Sequence, residues 1–441
     1  MEIKRLLEKI GVKELNAMQQ EALDMICSSD DDIVVLSPTG TGKTLAYLLP
    51  LTKLVDATSD ELQVIVVVPG RELALQSANV LKGLSAGIRS LACYGGRPAM
   101  DEHRLLRQVS PQVVFGTPGR LNDHLDKGNI SPAHVGILVI DEFDKCLEMG
   151  FSDEMSRLIA KLPNVRRRIL LSATDAEEIP SFVGHGNIRR VDYLANSGEV
   201  SGRIALHRVD SPVKDKLETL RSLLLSVGNG STIVFLNYRE SVERTAAYLS
   251  EQGFSVSAFH GGLDQRGRET ALYRFANGSA CVLVSTDLGS RGLDIPDVEN
   301  IIHYHMPETQ EAYLHRVGRT ARWDKDGNAF FILAPGETVP EYVEGDIVSY
   351  VPYPKGTPAR PRMTTLYIGK GKKDKISKGD LVGFLCKKGG LEKDDIGRID
   401  VRDYYCYVAV TRSKAAEMLK KVRGEKIKGL RTLIEIAAPE A

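Results

Sequence analysis

Short apolar runs rich in β-branched residues recur along the first 345 residues, and segments with helical periodicity separate them. Continuous apolar strands of this kind are typical of parallel sheets that are covered by helices on both faces. The rhythm pauses near residue 196 and restarts after about residue 205, so we predict two tandem doubly wound α/β domains. The predicted strands are 33–36, 64–68, 112–115, 137–140 and 168–171 in the first domain and 232–235, 255–259, 281–284, 300–304 and 329–333 in the second.

The pattern changes after about residue 345. Four prolines, at positions 352, 354, 358 and 361, predict a semi-rigid linker over 346–361. Strand and helix signals then follow in the order βαββαβ, which is the ferredoxin-like arrangement of RNA-recognition (RRM-like) folds. The predicted elements are strand 365–368, helix 377–386, strands 396–401 and 404–411, helix 413–423 and strand 430–436. We therefore predict domains over 1–200, 205–345 and 362–438, with a hinge at 196–203.

The formal net charge of zero hides an asymmetry between the two ends of the chain. Residues 361–441 hold 19 Lys and Arg against 11 Asp and Glu, so the C-terminal module carries eight excess positive charges. Such a module suggests either a polyanion-binding surface or simply a solubilising one. The six cysteines are scattered and no signal-peptide pattern opens the chain, which favours a cytoplasmic protein with free thiols. No apolar run approaches the ~18 residues of a membrane span.

Residues 37–44 read Ser-Pro-Thr-Gly-Thr-Gly-Lys-Thr and follow the buried strand 33–36. The glycines allow backbone N–H groups to close on a polyphosphate, so this loop predicts a nucleoside triphosphate site. Lys43 is expected to reach the β- and γ-phosphates, and the Thr44 hydroxyl to hold Mg²⁺. The other predicted contacts with the nucleotide are Thr39, Gly40, Thr41 and Gly42.

A second buried strand, 137–140, ends in the acids Asp141 and Glu142. The carboxyl ends of parallel strands meet at one edge of the sheet, so these acids are expected to face the phosphate loop. Asp141 is predicted to bind Mg²⁺, and Glu142 to orient or deprotonate the attacking water. The alternative is a solvated acidic strand end.

The segment Asp141-Glu142-Phe143-Asp144 resembles the signature of the DEAD-box RNA helicases. Other motifs of that family follow in the same order and at similar spacing. They are Gln19, Pro69-Gly70-Arg71-Glu72, Gly95-Gly96, Thr117-Pro118-Gly119-Arg120, Ser172-Ala173-Thr174, Gln265 with Arg268, Ser285-Thr286-Asp287, Arg291-Gly292-Leu293-Asp294 and His315-Arg316-Val317-Gly318-Arg319-Thr320-Ala321-Arg322. The resemblance covers roughly residues 10–335 and implies two RecA-like domains that hydrolyse ATP with Mg²⁺.

The resemblance also implies roles for individual residues. Gln19 would read adenine, and Asp294 would meet the ribose or the attacking water. Arg319 and Arg322, three residues apart on one helical face, would supply positive charge to the γ-phosphate from the second domain. Contacts with the RNA backbone would come from Arg71, Gly96, Thr117, Arg120, Arg268, Thr286 and Arg291. Ser172, Thr174 and His315 would couple hydrolysis to strand separation, although His315 and Arg316 have a purely structural alternative.

One departure from the family pattern lies beside the catalytic acids. The third residue of the signature is Phe143 here, where the family has alanine. We expect this ring to pack in the core. The aromatic residue that the family has upstream of Gln19 would fall near Glu2, where none exists.

The C-terminal module resembles the RNA-binding domain of the DbpA-type DEAD-box helicases over 366–375, 395–401 and 426–429. That resemblance implies a target in a 23S rRNA hairpin of the peptidyl-transferase region and a role on pre-50S particles, with the protein acting as a monomer. Alternation along the predicted strand 404–411 places Tyr405 and Tyr407 on one face, where they would either stack on bases or lie half-buried in the sheet. Lys370, Lys372 and Lys373 are further predicted RNA contacts.

Three functional alternatives are open at this stage. The chain is expected to be an rRNA-targeted RNA helicase, but a general helicase acting on mRNA has the same motor motifs. An RNA-dependent ATPase that acts as a clamp or scaffold, with little unwinding, has them as well. A DNA helicase is disfavoured by the combination of Gln19, the Asp-Glu-x-Asp signature and Ser172-Ala173-Thr174.

Overall fold

The computed structural model describes residues 3–38, 40–95, 99–175, 183, 187–194, 204–287, 298–320, 326–358 and 360–437. These residues fall into two compact units, one before the predicted hinge at 196–203 and one after it. The hinge lies outside the described residues. None of the described helices is long and apolar enough to cross a membrane, and the six cysteines are free thiols.

The first unit is built on a seven-stranded parallel sheet. Its strands are β1 (Asp32–Leu36), β2 (Val64–Val67), β3 (Ser90–Cys93), β4 (Val113–Gly116), β5 (Ile137–Ile140), β6 (Arg167–Ser172) and β7 (Ile188–Asp192). The spatial order is β3-β4-β2-β5-β6-β1-β7. Strand β6 therefore lies between β1 and β5, so the phosphate loop, the acidic strand end and Ser172 share one edge of the sheet.

Helices cover both faces of this sheet, as the continuous apolar strands predicted. The described helices are α1 (Ile3–Lys9), α2 (Ala17–Ser28), α3 (Lys43–Leu54), α4 (Arg71–Leu84), α5 (Ala99–Val109), α6 (Pro118–Asp126), α7 (Phe143–Glu148) and α8 (Ser152–Ala160). One apolar cluster, centred on Tyr47 and Val66, fills the space on one face. A second cluster on the other face includes Ile65 and Phe143.

The second unit begins with another parallel sheet of seven strands. Its strands are β8 (Ile204–Asp210), β9 (Thr232–Leu236), β10 (Val256–Phe259), β11 (Val282–Thr286), β12 (Asn300–His303), β13 (Gly327–Leu333) and β14 (Ile347–Ser349), in the order β10-β11-β9-β12-β13-β8-β14. The described helices are α9 (Leu217–Val227), α10 (Arg239–Glu251), α11 (Gln265–Ala276) and α12 (Gln310–Val317). The predicted linker 346–361 starts too early, because β14 pairs with β8 as an edge strand.

The C-terminal part of the second unit has the predicted βαββαβ order with one extra hairpin. Its elements are β15 (Met363–Ile368), α13 (Lys378–Lys387), β16 (Ile396–Val401), β17 (Cys406–Thr411), α14 (Arg412–Lys421), the hairpin β18 (Lys426–Ile427) and β19 (Leu430–Arg431), and β20 (Ile434–Ile436). The antiparallel sheet runs β16-β17-β15-β20. Both helices pack on one face of it, around Leu366, Val408 and Leu381. The RecA-like and RRM-like fold class predicted from the sequence is thus confirmed.

Candidate functional site

The phosphate loop joins β1 to the N-terminus of α3. Gly40 and Gly42 both have a φ of +85°, a left-handed conformation that glycine adopts without strain. The Lys43 side chain is buried and donates hydrogen bonds to the carbonyls of Ser37 and Pro38, the latter at 3.0 Å. Thr44 is the second residue of α3. Of the predicted loop contacts, Thr39 lies outside the described residues.

Gln19 lies against the phosphate loop. Its side-chain amide donates to the carbonyl of Gly42 at 3.1 Å, and the amide of Asn16 donates to the carbonyl of Thr41 at 2.8 Å. Asn16 and Gln19 also form a reciprocal capping box at the start of α2. A Cβ at Gly42 would meet the Gln19 amide nitrogen at 2.3 Å, so glycine is required there on two grounds. Sequence reasoning did not single out Asn16, although a capping box is readable from Asn-x-x-Gln.

Asp141 follows β5 and is almost completely buried. Burial, together with the charge of Glu142, raises the pKa of this carboxyl to about 7, and Lys43 opposes that shift. The Tyr47 hydroxyl lies close enough to Asp141 that burial and this carboxylate raise the tyrosine pKa well above its ordinary value. Glu142 has a φ of +51°, which is strained for a residue with a Cβ. Such strain is characteristic of functional positions.

The acidic strand end fits a magnesium ion. The Oδ2 atom of Asp141 is buried and has no hydrogen-bond partner among the described residues, and its Oδ1 accepts from the Glu142 backbone at 3.0 Å. A carboxylate and the hydroxyl of Thr44 are hard oxygen ligands of the type that Mg²⁺ prefers. The donor set therefore matches the predicted metal residues.

Ser172 and Thr174 link three of the motifs. The backbone N–H of Ser37 donates to the Ser172 carbonyl at 3.1 Å, which ties the phosphate loop to the end of β6. The Thr174 hydroxyl and the Ala173 N–H both donate to Oδ2 of Asp144 at 3.3 Å. Hydrogen bonds thus join the phosphate loop, the end of β6 and the acidic motif.

Two of the predicted RNA contacts of the first unit lie at the starts of helices. Arg71 is the first residue of α4, and Thr117 precedes α6 as its N-cap. The Arg71 guanidinium lies 3.7 Å from an ideal Cβ on Gly95, so this arginine borders the Gly95-Gly96 motif. Gly96 lies outside the described residues.

Arg120 is held by a buried carboxylate that sequence reasoning missed. Glu102 pairs with the Arg120 guanidinium at 3.0 Å and with the His124 ring at 2.9 Å, and its other oxygen accepts from the Tyr94 N–H at 3.1 Å. Glu102 is only 1% exposed and lies on α5 at the helical spacing of Leu105, Leu106 and Val109. Its place on this apolar stripe was the available sequence signal for its burial.

In the second unit, Arg316 is a structural residue. It is the largest fully buried side chain among the described residues, and Asp287 grips it with both carboxylate oxygens at 2.6 Å. Asn237, the carbonyl of His305 and the ring nitrogen of His303 accept its remaining hydrogen bonds. The structural alternative raised from the sequence is thus confirmed for Arg316.

The prediction that Arg319 lies on a helical face is wrong. Helix α12 ends at Val317 with Gly318 as its C-cap, and the backbone turns after that residue. Arg319 lies in that turn, is 6% exposed, and accepts through its carbonyl from the Val298 N–H at 3.1 Å. Arg322, Arg291 and Asp294 lie outside the described residues.

Three more predicted residues are placed in this unit. Thr286 is the last residue of β11, at the carboxyl edge of the second sheet. Arg268 is on the first turn of α11 and donates to the Gly261 carbonyl at 2.8 Å. His315 is buried on α12.

The prediction that Tyr405 and Tyr407 stack on bases does not fit the structure. Their sheet face packs on helix α11 of the same unit, so Tyr407 is 1% exposed and its ring stacks on Tyr273 at a centroid distance of 5.1 Å. The Tyr407 hydroxyl pairs with that of Thr270 at 2.6 Å. Alternation on the strand was correct, but the sequence does not show that a neighbouring helix covers this face.

The lysines of the C-terminal module are placed differently from these tyrosines. Lys372 and Lys373 are exposed on a short 3₁₀ turn after β15, and Lys370 precedes them, paired with Asp374 at 3.1 Å. The Lys373 ammonium lies 4.1 Å from the ring centre of the exposed Tyr404. A cation and an aromatic ring thus stand together on the surface, away from the covered face.

Comparisons with known proteins agree along the whole chain. Family models match at residues 16–181 (DEAD/DEAH box helicase), 215–324 (helicase conserved C-terminal domain) and 365–436 (DbpA RNA binding domain). The ATP-dependent RNA helicase DbpA of Escherichia coli (strain K12) is 36% identical over 96% of this chain and 94% of its own length. The chain belongs to the DbpA-type DEAD-box ATP-dependent RNA helicases.

One further relative supports the assignment, and a solved structure shares the fold of the two RecA-like domains. The DbpA helicase of Bacillus subtilis (strain 168) is 29% identical over 97% of this chain and 96% of its own length. Dbp5 of S. cerevisiae, solved with RNA and ADP BeF3, shares the fold with a TM-score of 0.68 at 24% identity, covering 79% of this chain and 93% of that one. Membership of the DEAD-box helicase family and the DbpA RNA binding domain imply that this chain binds ATP and RNA, as its motifs predicted.

The unusual residue of this DEAD-box signature is accommodated in the core. Phe143 is 2% exposed and packs in the apolar cluster that contains Ile140 and Cys146. The expectation that it packs in the core is confirmed. The ring therefore replaces the family's alanine without entering the nucleotide site.

Proposed function

We propose that this helicase hydrolyses ATP at the carboxyl ends of β1, β6 and β5, and that its C-terminal module targets the reaction to a 23S rRNA hairpin during assembly of the large ribosomal subunit. The observation that carries the targeting is the match of residues 365–436 to the DbpA RNA binding domain, together with its exposed lysines. The protein is proposed to act as a cytoplasmic monomer on RNA and pre-50S particles.

Different residues of the chain are proposed to carry the separate tasks of ATP hydrolysis. Thr44 and Asp141 would hold Mg²⁺, which offsets the negative charge of the phosphates. Lys43 would exchange its loop carbonyls for phosphate oxygens. Glu142 would orient or deprotonate the attacking water, while Arg319 and Arg322 would stabilise the charge that develops in the transition state.

Contacts with the RNA backbone would let the motor grip RNA without reading its sequence. The proposed residues are Arg71, Gly96, Thr117 and Arg120 in the first unit and Arg268, Thr286 and Arg291 in the second. Ser172, Thr174 and His315 would pass the state of the nucleotide to this grip. Sequence choice would then rest with the C-terminal module, through Lys370, Lys372 and Lys373.

The test compares ATPase activation by an rRNA hairpin with activation by poly(U). We expect the hairpin to activate at far lower concentration, and replacing Lys370, Lys372 and Lys373 by glutamate to remove most of that preference. Since salt-dependent attraction alone could contribute, the control replaces the exposed Lys4, Arg5 and Lys13 by glutamate, which gives the same change of net charge in the first unit.

Two outcomes would contradict the proposal. Equal activation by the hairpin and by poly(U) would indicate a general helicase. ATP turnover on the hairpin without release of an adjacent duplex strand would indicate a clamp.

A further inference from the structure

Helix α11 carries a predicted RNA contact, Arg268, and, at the same time, the docking surface of the C-terminal module. Gln265 and Arg268 form the family's Gln-x-x-Arg motif on its first turn. Four residues on from Gln265, Glu269 faces the C-terminal module. One short helix therefore serves the motor and its targeting module together.

Glu269 connects the two through its two carboxylate oxygens. Its Oε1 accepts from the Gln265 side-chain amide at 3.0 Å. Its Oε2 accepts from the Tyr405 hydroxyl at 2.6 Å, with the Arg402 guanidinium at 3.7 Å. Glu269 is 7% exposed, and hydrogen bonds to a charged group in such an environment are stronger than neutral ones.

The surrounding contacts hold this bridge in place. Arg266 lies over the Tyr367 ring at 4.4 Å, and the Tyr273 hydroxyl donates to the Tyr407 carbonyl at 3.1 Å. Burial and the charge of Glu269 raise the pKa of Tyr405, so its hydroxyl stays protonated and can only donate to the carboxylate. At the far end of the helix, the Asn277 amide donates to Thr365 at 2.8 Å.

We propose that Glu269 and Tyr405 are positioning residues for the motor's RNA site: the docked C-terminal module fixes the Gln265 side chain through Glu269, and it thereby strengthens the grip of α11 on any RNA. The hydrogen bond to Glu269 holds the Gln265 side chain in one orientation, with its carbonyl oxygen buried and without a hydrogen-bond partner among the described residues. This inference rests on the proposed RNA contact of Arg268 and its helix.

The experiment uses the full chain and poly(U). Tyr405→Phe removes the hydroxyl and keeps the ring, so a loss of stacking cannot explain its effect. We expect the RNA concentration for half-maximal ATPase to rise at least about five-fold, the lower end of coupling between sites, with kcat at saturating RNA unchanged. Glu269→Leu, which interrupts the bridge at its centre, should do the same. Unchanged RNA dependence in both variants would overturn the proposal.

Thr365→Val is the matched control. It removes hydrogen bonds of the same interface, to Asn277 and Ser279, without touching Glu269. A purely docking role predicts equal effects of Thr365→Val and Tyr405→Phe, which would contradict the bridge.

In the double variant, Gln265→Ala with Tyr405→Phe should be no worse than Gln265→Ala alone. If the fold-increases of the two single variants multiply in the double variant, Tyr405 does not act through Gln265, and the proposal is contradicted.

Arg268→Ala separates this inference from the function on which it rests. If Arg268→Ala weakens RNA activation and Tyr405→Phe does not, the bridge alone is refuted. If Arg268→Ala has no effect, the RNA contact of α11 fails, and the bridge fails with it.

Discussion

Asp287 and Arg316 form a bidentate ion pair, with both N–O distances at 2.6 Å and no exposure of the arginine side chain. Asp287 ends the Ser-Thr-Asp motif, while Arg316 belongs to the motif at the end of α12. The pair therefore joins two motifs that are nearly thirty residues apart in sequence. Its role is to hold the carboxyl edge of the second sheet together.

Asp287→Ala should be strongly destabilising. It leaves the Arg316 guanidinium buried without its charge partner, which typically costs about 3–5 kcal/mol. Urea denaturation followed by circular dichroism would measure the loss, with Glu344→Ala as an exposed acidic control in the same unit. A change as small as that of the control would show that the pair contributes little.

Phe143→Ala restores the family's signature and should nevertheless destabilise this protein. The ring is buried in the second apolar cluster, and a Phe→Ala cavity typically costs about 3–5 kcal/mol. Met149→Ala, at a partly exposed position just after α7, should stay within about 0.5 kcal/mol. Equal unfolding midpoints for the two variants would mean that neighbouring side chains refill the Phe143 site.

Asp141→Asn should stabilise the nucleotide-free protein in a pH-dependent way. Burial and the charge of Glu142 raise the folded-state pKa of Asp141 from 3.8 to about 7, so the wild type holds a proton that the unfolded chain releases. The proton on the Asp141 carboxyl therefore contributes stability that is complete below pH 3.8 and is lost as the pH rises from there through 7. The amide of the variant does not titrate, so the variant loses nothing over this range. The difference in free energy of unfolding between variant and wild type should therefore grow by up to ~1.4 kcal/mol per pH unit between the two pKa values.

The measurement is chemical denaturation of both proteins from pH 4 to pH 8 in the presence of a metal chelator. Asp153→Asn, on the exposed side of α8, should track the wild type at every pH. An advantage of Asp141→Asn that stays constant with pH would show that its carboxyl is ionised throughout.

Glu142→Gln should block turnover while nucleotide and RNA remain bound. The amide keeps the shape of the side chain but cannot take up a proton, and loss of a general base typically costs about 10²–10⁴ in rate. Single-turnover ATP hydrolysis and filter binding of labelled RNA with ATP would test both parts. Turnover at the wild-type rate would refute the role of Glu142 in activating water.

The sequence predicted the central strands well and the edges poorly. Strands β1, β5 and β6 were foreseen because both of their faces are buried and each contains a continuous run of at least three apolar residues. Strand β7 (Ile188–Asp192) was missed because it is an edge strand with an exposed, arginine-bearing face. Strand β3 (Ser90–Cys93) has no β-branched residue.

The residues of the candidate site likewise include some that the sequence predicted and some that it did not. The phosphate loop and Asp141 were found because each directly follows a buried apolar strand, and the carboxyl ends of parallel strands share one edge of the sheet. Glu102 was missed because its partners, Arg120 and His124, come from another helix. Tyr407 was assigned to RNA because the pattern of a strand shows which side chains share a face and not what covers that face.

The docking of the C-terminal module on α11 has a consequence for how the enzyme selects its duplex. A module that is tethered only by a flexible connector would let the motor search a volume set by the connector's length. Here the module and Arg268 belong to the same compact unit. Under the proposed targeting, a protein interface would therefore set the spacing between the anchored hairpin and the remodelled duplex, and the duplex would be chosen by its distance along the RNA.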